Sequence, residues 1–239
     1  SKEIAHKLNK EFGVPFGENG ISTSKTNHKK YYLCETRKID REIVNYFISK
    51  GMLYQSANFR NAVFVGYDGD MPAYAFKRNI FKNFKLEHTG SNKAFSFNYQ
   101  NKESNVLHVF EAAIDLLSYM TLLKMEDIDY KSFNYLSLGG ACEKIAAKNE
   151  ADMPIALNAF LERNPNVQII VFHLDNDEVG RGATQKIMMI ARRNYQCFDN
   201  HPVNFKDVND ELIHKSLLLS TDLWIWQMNY SYPVGYKIM

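Results

Sequence analysis

The stretch VQIIVFHLDNDEVGRGATQ, Val167 to Gln185, runs from an apolar segment through two aspartates into residues that open with glycine and arginine. VQIIVFHL is apolar enough for a buried strand. An isolated carboxylate inside a core is too costly unless something pairs with it, so Asp175 and Asp177 belong just past the strand end. In an extended segment, two residues that are two apart point the same way. Gly180 and Gly182 let the backbone pass close to its neighbours at the start of the following helix. Arg181 sits near that helix N-terminus, where it can meet a phosphate or pair with Asp177 or Glu178. His173, ahead of the acids, reads as a packing residue.

Working outward, strands and helices alternate from Asn105 onward. NVLHVF, YLSL and VQIIVFHL read as strands, and EAAIDLLSYMTLLK, GGACEKIAAKN, PIALNAFLERN and GRGATQKIMMIARRN as helices. Such alternation implies a parallel sheet with right-handed crossovers and helices over both faces. Ligands bind such sheets beyond the carboxyl ends of the strands. A second acidic cluster lies at one of those ends: Glu111 directly follows NVLHVF, and Asp115, four residues on, can share a helix face with it. Hard divalent cations favour oxygen ligands of this kind. A strand-end acid alone is often only a helix cap; two clusters at neighbouring ends are a stronger signal.

Upstream, IDREIVNYFISKGMLYQ has helical spacing at Ile39, Ile43, Phe47 and Ile48, with Gly51 as its stop. NAVFVGYDGDMPAYAFKRNI reads as a hairpin around DGDMP, and KAFSFNY as a further short strand. GENGISTSKTNHKK reads as a loop. These residues form a small α+β unit ahead of the α/β unit. The expected division is a polar segment at 1–34, a basic α+β subdomain at 35–104, an α/β domain at 105–212 and an aromatic tail at 213–239, in which Trp224 and Trp226 read as packing residues.

Charge follows that division. The chain has 239 residues and a net charge of +2; residues 1–105 carry 17 Lys and Arg against 10 Asp and Glu, while residues 106–239 carry 12 against 17. A basic surface beside an acidic site suits nucleic acid together with a divalent metal. Cys34, Cys142 and Cys197 lie far apart without a CxxC pair, which points to neither a zinc ribbon nor a disulfide framework. No stretch approaches a membrane span, and the start lacks the apolar segment of a signal peptide. The expected location is a reducing cytoplasm.

Glu111 after a strand, LSLGG (Leu136 to Gly140) after the next, and LDNDEVGRGA (Leu174 to Ala183) resemble a Toprim domain in order and spacing. This catalytic module is shared by bacterial primases, type IA and type II topoisomerases and some nucleases. The resemblance implies a Rossmann-like fold in which Glu111 is the family glutamate and Asp175 and Asp177 are the DxD pair. Asp115 matches a further acid of the primase branch, and FKDVNDEL resembles that branch's later acidic loop, with Asp207 as its first aspartate. Asn209 stands where a second aspartate is usual, leaving one carboxylate fewer. The hairpin FVGYDGDMPAYAFKRNI and the segment TGSNKAFSF follow the order of the basic subdomain of bacterial primases, which makes Arg78 and Lys93 its basic residues. The arrangement resembles the Toprim proteins of conjugative and other mobile elements.

The resemblance implies Mg2+ or Mn2+ held by Asp175 and Asp177 with Asp115 or Asp207 assisting. Glu111 would complete the metal set or move a proton, and Arg78 and Lys93 would hold a template phosphate or an incoming triphosphate. Three functions remain open. One is a primase-like nucleotidyltransferase taking single-stranded DNA and nucleoside triphosphates, with a helicase or another replication or transfer protein as a further partner. The second is a metal-dependent nuclease on the same acids. The third is a nucleic-acid-binding accessory protein without chemistry.

Overall fold

The structure is a computed structural model that describes residues 31–55, 61–79, 85–147 and 152–231, with the backbone alone at 31, 55 and 220–231. The expected loop at residues 17–30 and the side chains of Trp224 and Trp226 lie outside the described residues.

The chain enters through a π-helical segment, Tyr31–Thr36, and helix α1, Arg41–Ser49. Asp40 caps α1 by accepting from the backbone N–H of Glu42 at 2.8 Å, satisfying a donor that the first helical turn leaves free. Gly51, with φ 68°, then turns the chain out of the helix. A four-stranded antiparallel sheet follows in the order β1-β2-β3-β4, formed by Leu53–Gln55, Ala62–Asp68, Met71–Arg78 and Lys85–Glu87. The hairpin of β2 and β3 turns at Asp68–Met71, as the DGDMP signal requires.

KAFSFNY departs from its reading as one strand. Lys93–Phe95 is a 3₁₀ turn, and only Asn98–Tyr99 (β5) is extended. β5 leaves the first sheet for a second, pairing antiparallel with Tyr135 and Leu136. Short alternating segments carry too little periodicity to fix which sheet they enter.

The second sheet has the order β5-β7-β6-β8-β9, comprising β6 Val106–Phe110, β7 Asn134–Ser137, β8 Ile169–His173 and β9 Gln196–Asp199. All its pairings except β5–β7 are parallel. Its helices are α2 (Ala113–Met125), α3 (Cys142–Ala147), α4 (Ile155–Arg163), α5 (Glu178–Ala191) and α6 (Val208–Ser231). Strand alternation sorts the side chains between two layers. Leu107, Val109, Ile170 and Phe172 pack with α3, α4 and α5 in one core, while Phe110 packs with α2 in the other. That second core also takes in Ile43, Phe47, Leu53, Phe64 and Phe97. One apolar core thus spans the first sheet, α1 and α2, and the two units are packed against each other through it.

His108 and His173 lie on the α2 side of the sheet, both buried, with Nδ1 of His108 and Nε2 of His173 2.9 Å apart. His173 also stacks on Phe110 with ring centroids 4.8 Å apart. It is a packing residue, as its strand position suggested. Among the described residues no helix is long and apolar enough to cross a membrane.

Candidate active site

The parallel strands β6, β7 and β8 deliver their carboxyl ends to one cleft of about 240 Å³. Glu111 follows β6, Gly139 and Gly140 follow β7, and Asp175 follows β8. Asp115 enters from the first turn of α2, and Asp207 from the loop that leads into α6. The opposite wall comes from the first sheet, where Phe64, Tyr74, Phe76 and Arg78 line the cleft.

Close backbone approach sets the acids in place. A side chain on Gly180 would overlap the carbonyl oxygen of Asp175, so only glycine lets the first turn of α5 fold against the strand end. Asp177 caps α5, accepting from the backbone N–H of Gly180 at 2.9 Å. Gly139 has φ 63°, and the Tyr74 hydroxyl occupies the space its Cβ would fill. Here the first sheet meets the β7 turn directly.

Two of these acids, Asp175 and Asp115, hold protons more tightly than usual. Burial pushes the Asp175 carboxyl up to about 7, with the charges of Glu111, Asp207 and Asp177 adding to it. Asp115 is buried and held well above the usual carboxylate range, first by desolvation and then by Asp207, Asp175 and Glu111. A hydrogen bond from the backbone N–H of Asn209 opposes that rise. Among the described residues, no three His, Cys, Asp or Glu side chains already converge as a metal cage. The donor set nevertheless fits Mg2+ or Mn2+: it consists of hard carboxylate oxygens at an open cleft, their mutual repulsion relieved by a cation, and such ions keep several waters rather than needing an all-protein cage.

Five of the eight residues singled out from sequence line the cleft: Glu111, Asp115, Asp175, Asp207 and Arg78. The Nε of Arg78 is buried and has no hydrogen-bond partner among the described residues. Asp177 is electrostatically coupled to Asp175 but turned to its capping bond. Lys93 lies outside the lining and pairs with Glu87 at 3.1 Å. Arg181 is matched instead by Asp199 at the end of β9, at 2.8 and 2.7 Å through two nitrogens, with Nδ1 of His201 at 2.6 Å. The pairing with Asp177 or Glu178 that its sequence position suggested is not formed, because β9, an edge strand with a weak sequence signal, brings Asp199 to it.

The sequence reading missed Arg37, Lys85 and Lys206, which also line the cleft. Lys206 was visible as a cation within the acidic loop FKDVNDEL. Arg37 had only its place before the α1 cap as a signal, and one of its two partners lies 172 residues along the chain. It donates to Oδ1 of Asn209 at 2.9 Å and to the Tyr32 hydroxyl at 2.9 Å. Both acceptors are neutral, so its charge is not cancelled by them. Four cations and four carboxylates therefore line one cleft.

Two family models match parts of the chain. Residues 108–212 match the family model described as Toprim-like, and residues 31–103 match one described as a protein of unknown function, DUF3991. An uncharacterised protein of Bacillus anthracis is 27% identical over 206 residues, covering 77% of this chain and 52% of its own length. The chain thus spans about half the length of the curated relative it matches. Among solved structures, the primase fragment of the bacteriophage T7 primase-helicase protein aligns with a TM-score of 0.50 at 20% identity, over 77% of this chain and 72% of that one. The Aquifex aeolicus primase (zinc-binding and RNA polymerase domains) gives a TM-score of 0.46 at 15% identity, over 90% of this chain and 64% of that one. The chain carries a Toprim-like domain behind a small antiparallel-sheet subdomain.

Proposed function

We propose that this protein is a primase-like, divalent-metal-dependent nucleotidyltransferase that acts on single-stranded DNA with nucleoside triphosphates, in the replication or transfer of a mobile element. The observation that carries this reading is the convergence of Glu111, Asp115, Asp175 and Asp207 with Arg37, Arg78, Lys85 and Lys206 in one cleft. Nucleotidyl transfer is mostly positioning and charge stabilisation, and a cleft lined by both carboxylates and cations supplies both. The carboxylates suit a metal; the cations suit phosphates.

In this reading Asp175 and Asp177 would hold Mg2+ or Mn2+, Asp177 by the carboxylate oxygen that its bond to Gly180 does not use, with Asp115 or Asp207 assisting. When bound, the ion would stabilise the charge that builds on the reacting phosphate oxygens. Arg37 and Arg78 bind the triphosphate or a template phosphate. Arg78 brings an Nε with no partner among the described residues, and Arg37 a charge that its neutral partners leave in place. Glu111 either completes the metal set or takes the proton of the attacking hydroxyl. Lys93 and Arg181, each paired to a carboxylate, contribute to phosphate binding only if those pairs open. The likeness to a fragment of a primase-helicase supports a helicase or another replication protein as a partner. The proposed location is the cytoplasm.

The test is incubation with single-stranded DNA, labelled ribonucleotides and Mg2+ or Mn2+, scored for both extension and cleavage. Template-dependent oligonucleotides lost in Asp175→Asn and Glu111→Gln are the expected result. Cleavage without synthesis, lost in the same variants, makes the protein a nuclease. Neither activity, with nucleic-acid binding retained, makes it an accessory factor.

A further inference from the structure

A second cleft, of about 360 Å³, lies behind the loop that carries Lys206 and Asp207. Its walls come from α2, the end of β8, residues 200–205 and the start of α6. The volume is in the range of small-molecule sites, about 300–1,000 Å³. Nothing in the chemistry of the acidic cleft uses it.

The lining selects a ligand class. Tyr119 and the buried His173 line its floor, their ring centroids 4.3 Å apart, and Phe205, whose ring packs 5.2 Å from that of His214, lines it from the loop. Flat rings stack well on such surfaces. At the rim, Glu126 and Glu211 both bind Lys215, at 3.3 and 3.2 Å, so one cation is shared by two carboxylates and the rim stays net negative. A phosphate is disfavoured there. The amides of Asn200 and Asn204 and the two carboxylates offer donors and acceptors to a polar ring edge and to hydroxyls.

The loop between the two clefts is tied to the acids. Asn176, the residue between Asp175 and Asp177, donates its backbone N–H to the Lys206 carbonyl at 2.7 Å and its side-chain amide to the Val203 carbonyl at 3.3 Å. One face of the loop presents Lys206 and Asp207 to the acidic cleft, and the other presents Val203 and Phe205 to the second cleft. A ligand on one side therefore bears on the position of groups on the other.

We propose that the second cleft is a binding site for an unphosphorylated nucleoside, its base packed on Tyr119 with Phe205 at its edge, and that occupancy orders the 200–207 loop and, through Asn176, the acids. This site is independent of the catalytic reading, because binding there needs neither a metal nor turnover.

The experiment is calorimetric titration of the full chain with adenosine, guanosine, cytidine and uridine in chelator. It is paired with hydrogen exchange of the 200–207 loop and of the Asn176 amide. We expect one-to-one binding of at least one nucleoside, slower exchange at those amides, and weaker binding of the matching 5′-triphosphate. Asp175→Asn with Asp177→Asn should retain the binding, even if both variants lose all catalysis. Val203→Trp, which plugs the mouth from a position 76% exposed and so leaves folding intact, should weaken it about tenfold or more; Phe205→Ala should do the same. The proposal is overturned if no nucleoside saturates the protein, if Val203→Trp binds as well as wild type, or if the double aspartate variant abolishes binding. Binding that leaves the exchange of the loop unchanged overturns the coupling.

Discussion

Asn209 and Arg37 clasp each other across 172 residues of sequence: Nη1 of Arg37 donates to Oδ1 of Asn209 at 2.9 Å, and Nδ2 of Asn209 donates to the Arg37 carbonyl at 2.8 Å. The same Nδ2 donates to Oγ of Ser118 on α2 at 2.9 Å. Asn209 is 1% exposed, so these bonds replace water rather than compete with it. An amide can make all three bonds; a carboxylate has no donor.

Asn209→Asp, which restores the acid of the primase pattern, is therefore expected to destabilise the fold. It sets a carboxylate against the Arg37 carbonyl, and against a Ser118 hydroxyl whose own hydrogen is given to Ile114 at 2.8 Å. It also adds negative charge beside Asp115. The cost should be about 1–3 kcal/mol in urea denaturation at neutral pH, and Arg37, now salt-bridged, should bind phosphate less well. Stability equal to wild type would mean that the clasp is dispensable.

Metal-free stability should depend on pH through Asp175. Its carboxyl rises from an unfolded value near 3.9 to about 7 in the fold. A raised acid pKa means the folded state binds the proton more tightly, so this group's contribution weakens as pH rises from about 4 to 7. Asp175→Asn should then raise the unfolding free energy in chelator at pH 8 by about 1–2 kcal/mol after allowance for solvent screening, and the thermal midpoint with it, the gain vanishing near pH 4. Mg2+ or Mn2+ should stabilise wild type by mass action and leave the variant with Asp175→Asn and Asp177→Asn unmoved. A midpoint indifferent to metal in wild type removes the basis for a metal site.

The buried histidine pair has the opposite slope. Burial lowers His108 to about 4 and takes His173 well below the usual value, with His108 also opposing protonation of His173. A lowered base pKa means the unfolded state binds the proton more tightly. The stability is full above about pH 6.5 and is lost as pH falls toward 4. The loss from His108 alone should be about 3 kcal/mol by pH 4. Changing both histidines to phenylalanine should flatten that acid limb in urea melts across the window, and an unchanged limb would locate the acid lability elsewhere.

How much of this was legible in the sequence depends on the range of the interaction. The β6-α2 and β8-α5 units and the β2–β3 hairpin follow local periodicity and turn chemistry, which is why Glu111, Asp115 and Asp175 fell where expected. β9 was missed because QCFD is a short, mostly exposed edge strand with no alternating apolar signal. Without β9 there was no way to see Asp199 beside Arg181. Arg37 was missed for the same reason at longer range: its partner Asn209 is brought to it only when α6 packs on α2. Lys93 followed the family order of residues, but in the fold its ammonium turns to Glu87.

The cations of the cleft yield the last prediction. A side chain that reaches a phosphate releases counterions from it, so its removal weakens binding and flattens the dependence of log affinity on log salt. Arg37, Arg78, Lys85 and Lys206 line the cleft, whereas Lys93 is paired with Glu87 outside it and Arg181 with Asp199. Arg37→Ala and Arg78→Ala should each lower affinity for single-stranded DNA or for a nucleoside triphosphate and reduce the salt slope by about one. Lys93→Ala and Arg181→Ala should change both quantities much less, since a cation already matched by a carboxylate gains little by exchanging it for phosphate. Fluorescence anisotropy across a salt series separates the two groups. If Lys93→Ala flattens the slope as much as Arg78→Ala does, the pair with Glu87 opens on binding, and the nucleic-acid face extends beyond the cleft onto the 3₁₀ turn at Lys93–Phe95.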